Sequence, residues 1–118
     1  MPSQPEELRE RSKQFAIRIV KLFRALPKTE EARVFGKQVL RSGTSVAANY
    51  RAVCRSRSRA DFISKLAVVT EEADETVFWL ELLVETGIVR KTQLEKLLSE
   101  ANELIRIFGS SLQTARSK

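Results

Sequence analysis

The stretch TQLEKLLSEANELIRIFGSSL, residues 92–112, decides the fold. Its Leu94, Leu97, Leu98, Ala101, Leu104, Ile105, Phe108 and Leu112 recur at steps of three and four, which puts them on one face of an α-helix and on no face of a strand. Thr92 and Glu95 have the T-x-x-E spacing of a capping box. The helix is therefore expected over residues 92–113, with the polar end, residues 113–118, frayed.

Three more segments upstream carry the same period. Leu8, Phe15, Ile19, Leu22 and Leu26 predict a helix over residues 6–26, with Pro5 near its start and Pro27 ending it. Thr29 is a plausible N-cap for residues 30–55, with Glu30 and Glu31 where the helix dipole favours acids. Phe35, Val39, Val46, Tyr50 and Val53 form that helix's apolar stripe, and Gly36 and Gly43 imply a close neighbouring backbone or a bend. Ser58 with Asp61 resembles a capping box for residues 59–86, where Phe62, Leu66, Val69, Ala73, Val77, Leu80 and Val84 keep helical spacing and Gly87 suits the C-terminal cap. Short connections between consecutive helices imply an all-α, antiparallel up-down-up-down four-helix bundle filling residues 1–118 as one domain.

Composition narrows the chemistry. Of 118 residues, 42% are apolar and 31% charged, as in folded soluble proteins, and only 4 Gly and 3 Pro are available to punctuate strands. Histidine is absent, which excludes imidazole bases and most transition-metal sites. The single cysteine, Cys54, excludes an internal disulfide and is expected to be a small packing residue. The N-terminal MPSQPEE is polar and acidic, unlike a signal peptide, and the most apolar stretch, residues 77–89, is interrupted by Glu81 and Glu85. A cytoplasmic protein without cofactor or membrane partner is expected.

The net charge is +6. On a helical wheel Lys37, Arg41, Arg51 and Arg55 share an arc of roughly 80° opposite the apolar stripe, and the strip runs on into Arg57 and Arg59. Arginine forks match phosphate, so Arg41, Arg51, Arg55, Arg57 and Arg59 are the candidate nucleic-acid-binding residues; the same pattern also serves as the solvated side of an amphipathic helix. Tyr50 falls on the apolar stripe and offers no base-stacking platform.

The third helix is acidic along Glu71, Asp74, Glu75, Glu81 and Glu85, yet Phe78 and Leu82 lie inside that arc and Trp79 beside it. One bundle cannot cover apolar residues on both sides of a helix, so Phe78, Leu82 and Trp79 are the expected oligomer interface, most simply with another copy of the chain. Ser42 and Asn49 border the core and need hydrogen-bond partners if buried. Glu72-x-x-Glu75 and Glu100-x-x-Glu103 loosely resemble the Mg²⁺-binding pairs of all-α nucleotide pyrophosphohydrolases. Glu100 and Glu103 flank rather than occupy the apolar stripe, so no catalytic or metal site is assigned.

Residues 41–52, RSGTSVAANYRA, resemble the second-helix signature of the four-helix-bundle family of the 23S rRNA intervening-sequence protein. Residues 57–66, RSRADFISKL, resemble its R-x-S-x-x-E/D-F-x-x-x-L segment, and residues 71–83 its acidic and apolar third-helix pattern. Many members read Asn-Ile-Ala-Glu-Gly where this chain has Asn49-Tyr50-Arg51-Ala52-Val53, so no role of that acid carries over. The resemblance implies a ring-shaped homopentamer without established catalysis. It is also similar to accessory proteins of diversity-generating retroelements, whose basic surfaces bind nucleic acid and a reverse transcriptase. Two functions stand against each other: an oligomeric nucleic-acid-binding bundle, and a structural oligomer or protein-protein adaptor.

Overall fold

The computed structural model describes residues 3–118. Four antiparallel helices follow one another: α1 (Gln4–Ala25), α2 (Glu30–Val53), α3 (Arg59–Glu85) and α4 (Lys91–Arg116). Each packs on the next. The α2–α3 contact is the most extensive, and α1 meets α4 only slightly. The result is a flattened bundle, 47 × 27 × 19 Å. Its core joins Phe15, Ile19, Val39, Val46, Leu66, Leu80, Leu83, Leu104 and Phe108, all essentially inaccessible to water.

Helix ends follow local chemistry. The hydroxyls of Ser3, Thr29 and Ser58 accept the backbone N–H groups of Glu6, Ala32 and Asp61, respectively, at 3.0–3.3 Å. The expected box at Ser58 is half realised, because the Asp61 carboxylate reaches past the cap to the N–H of Arg57 at 3.1 Å. Leu26, held extended ahead of Pro27, stops α1. Gly87, at φ 77°, closes α3: its own N–H donates to Val84 O and that of Ile88 to Leu83 O, the paired bonds of a Schellman motif.

Two expectations for α4 are corrected. It opens at Lys91 after Arg90, whose N–H donates to Gln93 Oε1 at 3.2 Å, so Thr92 and Glu95 are not its cap. Its C-terminus stays helical to Arg116 instead of fraying from residue 113, and the Arg59 guanidinium donates to the Ala115 carbonyl at 2.9 Å.

The glycines of α2 are where α1 comes close. A Cβ at Gly43 would lie 2.8 Å from Ile19 Cγ1 and 2.9 Å from its Cγ2; one at Gly36 would lie 2.8 Å from Leu26 Cδ1. In the core, Thr76 Oγ1 lies 2.9 Å from Ser42 Oγ and donates to the Glu72 carbonyl at 2.7 Å, so the buried hydroxyls of α2 and α3 satisfy one another. Asn49, half-buried, donates to the Ser45 carbonyl.

Gly43→Ala should lower the melting temperature, because Ile19 is fully buried and β-branched and cannot move aside; the overpacking costs about 1–3 kcal/mol and outweighs the gain in helix propensity. Gly109→Ala, whose Cβ would meet nothing within 4 Å, should raise it, through a gain in stability of about 0.5–1 kcal/mol. Thermal denaturation of the two variants beside the native protein checks both signs.

Candidate nucleic-acid interface

The end of α2 and the start of α3 bring cations together. Arg51 lies in the last turn of α2, Arg55 follows directly after the C-terminal cap at Cys54, outside the helix that the sequence extends to residue 55, and Arg57 precedes the Ser58 cap of α3. With Lys65 and Asp61 of α3 they surround a shallow cleft, about 520 Å³, that the small side chains of Ala48 and Ala52 leave open. Lys65 and Asp61 pair with each other at 2.9 Å. That bond, with the Arg57 N–H, holds the Asp61 carboxyl below its usual range. Arg51, Arg55 and Arg57 are exposed, and among the described residues no carboxylate pairs with them.

The other two arginines of the sequence-derived strip have different neighbours. Arg41 turns to α3 and pairs with Glu72 at 3.2 Å and with Glu75. Arg59 reaches the end of α4, as described above. The strip read from the helical wheel is therefore not one free cationic face: Arg41 leaves it for an ion pair, Arg59 for a carbonyl, and Arg51, Arg55 and Arg57 remain. A wheel carries one helix only, and the partners of Arg41 lie on another.

The paired glutamates also have defined partners. Glu72 and Glu75 hold Arg41. Glu100 receives a two-pronged bond from Arg11, Nε to Oε2 at 2.9 Å and a terminal nitrogen to Oε1 at 2.7 Å, which raises the Arg11 pKa. Glu103 pairs with Arg106, which lowers its pKa. Among the described residues no three His, Cys, Asp or Glu side chains gather as a metal site.

Farther along α3, Phe78 is 53% exposed, while Trp79 and Leu82 are half-buried. Trp79 stacks obliquely on Phe35 and meets Phe78 edge to face at 4.9 Å between centroids, and its indole N–H donates to Glu75 at 3.0 Å. Val34, also 53% exposed, lies on α2 beside Phe35 in sequence.

With this geometry in place, comparison with known proteins assigns a family. The family described as 23S rRNA-intervening sequence protein matches residues 6–110. The chain belongs to that family. It is also similar to a crystal structure, at 1.70 Å, of a protein of unknown function from the S23 ribosomal protein family of Bacteroides thetaiotaomicron: 40% identity, TM-score 0.83, covering 89% of this chain and 97% of that one. No curated protein matches. The family span contains the whole α2–α3 turn, including the Asn49–Val53 departure that supplies Arg51.

Sequence reading missed three cations. Lys65 lines the cleft from α3, and Arg9 and Lys13 of α1 line an adjoining one with Arg51 and Arg55. The exposed polar side of α1 carried the only signal for Arg9 and Lys13, and nothing in the linear sequence joins them to residues some forty positions away. Cys54 departs from expectation as well: it is exposed at the end of α2 rather than packed. Among the described residues no helix is long and apolar enough to cross a membrane.

Tyr50 is buried and stacked on Phe108 at 5.3 Å, and burial first, then the neighbouring Cys54, pushes its phenol up to about 12. It is the one tyrosine of the chain, so titrating its ultraviolet absorbance should show ionisation near pH 12 in the folded protein and near pH 10 in denaturant. Because the folded pKa is the higher, the stability that Tyr50 contributes is complete below pH 10 and is lost between there and about pH 12.

Proposed function

We propose that this protein is a cytoplasmic, non-enzymatic bundle that oligomerises and holds the sugar-phosphate backbone of nucleic acid at the α2–α3 turn. One observation carries the reading: Arg51, Arg55 and Arg57 converge on an open cleft and, among the described residues, no carboxylate pairs with their guanidinium groups, in a chain of net charge +6. Guanidinium groups without internal partners are free to take phosphate oxygens, and such contacts carry little sequence information. Membership in a family named for an insertion in 23S rRNA supports RNA or DNA as the polyanion. Arg41 and Arg59 fall outside the binding set.

Self-association rests on the aromatic group of Phe78, Trp79 and Phe35, a contiguous apolar area. Leu82 adjoins it, half-buried. A second copy is the simplest cover, and the resemblance to the intervening-sequence family implies a pentamer.

Native protein should bind RNA and DNA at about 50 mM salt and lose most of that affinity at about 200 mM, and the pair Arg51→Ala and Arg55→Ala should weaken it about tenfold. No binding at low salt, or binding indifferent to these changes, leaves the structural-oligomer reading in its place. Light scattering should give a mass several times 13.4 kDa, falling toward 13.4 kDa for Phe78→Lys; a native monomer at micromolar concentration refutes self-association. Mg²⁺-dependent nucleotide hydrolysis abolished by Glu72→Gln would overturn the non-enzymatic assignment.

A further inference from the structure

A second cationic wall lies across the groove from Arg51 and Arg55. Arg9 and Lys13, one turn apart on α1, face them over a floor of Thr44, Ala47 and Ala48. The cavity measures about 630 Å³ and adjoins the cleft at the turn, since Arg51, Arg55 and Ala48 line both. One acid, Glu10, shares the lining, and its carboxylate accepts a bond from Gln14 at 3.0 Å. Among the described residues no carboxylate pairs with Arg9, Lys13, Arg51 or Arg55.

The register is fixed by the close approach of Ile19 to Gly43. Counting back from Ile19 to Arg11 and forward from Gly43 to Arg51 advances the antiparallel helices by equal lengths, so Arg51 lies level with Arg11, between Arg9 and Lys13. The cations therefore alternate between the walls in the order Arg55, Arg9, Arg51, Lys13. On α1 the two are four residues apart, about 6 Å of helix rise, and Arg55 follows Arg51 at the same interval just past the end of α2. That pitch is close to the spacing of neighbouring phosphates in an extended single strand.

We infer that the groove between α1 and α2, walled by Arg9 and Lys13 on one side and Arg51 and Arg55 on the other, seats a single phosphodiester strand. The inference rests on the nucleic-acid reading above and names the form of nucleic acid. Packed helix axes lie about 8–10 Å apart, so the furrow between their side chains can seat one sugar-phosphate backbone and is narrower than a whole double helix. Small floor residues let the strand sink between the walls, and no aromatic side chain lines the groove, so bases point outward and go unread.

The test is fluorescence anisotropy with a labelled dT oligonucleotide of about 20 nucleotides, an rU oligonucleotide and a DNA duplex of equal length, over about 50–200 mM salt. The native protein should prefer both single strands to the duplex, with a log–log salt slope near about −1.5 for the two phosphates that the run of four cations spans. The double variant Arg9→Gln, Lys13→Gln, on the exposed side of α1, should keep its helical circular dichroism, bind the single strands about tenfold more weakly at low salt and show a shallower slope than the native protein. If Arg51→Gln with Arg55→Gln abolishes binding while the α1 pair changes neither affinity nor slope, the groove inference fails and the nucleic-acid reading stands. Equal or tighter binding of duplex also overturns the groove. No binding of any probe at low salt overturns both.

Discussion

The approach of α1 to α2 is the constraint on which the rest depends. Two missing side chains permit it: Gly43 receives Ile19, and Gly36 receives Leu26 and Phe23. Glycine in a helix interior costs about 1 kcal/mol relative to alanine, and here that penalty is offset by the dispersion contacts of these side chains against backbone. The same contact sets the level of every residue on α1 against its opposite on α2. It puts Arg9 and Lys13 across from Arg51 and Arg55, and leaves Thr44, Ala47 and Ala48 as the floor between them. Packing and the cationic groove are two results of one close contact.

The bundle was legible because its apolar periods are long. Leu94 to Leu112, and likewise Phe62 to Val84, repeat helical spacing over too many turns to suit a strand, and the short connections leave little choice of topology. Local ends were harder. Thr92 and Glu95 look like a better start for α4 than Arg90 and Gln93, but the Schellman turn at Gly87 brings Ile88 and Val89 back onto the end of α3, both N–H groups reaching Leu83 O, and the helix begins as soon as that turn is complete. The C-terminal turn of α4 looked free because its tether, Arg59, lies on another helix.

The site was legible only in part, for the same reason. Arg51, Arg55 and Arg57 are close in sequence and remain close in space. Arg41 shares their arc, but α3 presents Glu72 and Glu75 to it, and pairing of that kind depends on two helices at once. Phe78 lies among acids on the wheel and is exposed in the fold, because an exposed direction on a single helix needs no partner to define it. The cations of α1 needed the register of two helices before they could be placed. Ionic and polar functions assembled across elements are hidden from a linear reading, while those confined to one turn are visible.

The seam between α1 and α4 has a different character from the other three. These helices scarcely touch, and the tie across them is the forked bond of Arg11 to Glu100, with Glu103 at 3.9 Å from the same guanidinium. Grease closes three edges of the slab; charge fastens the fourth. Dissolved ions that gather at the cationic groove therefore also reach the clasp directly behind it, and the hold of α1 on α4 loosens as the ionic medium thickens.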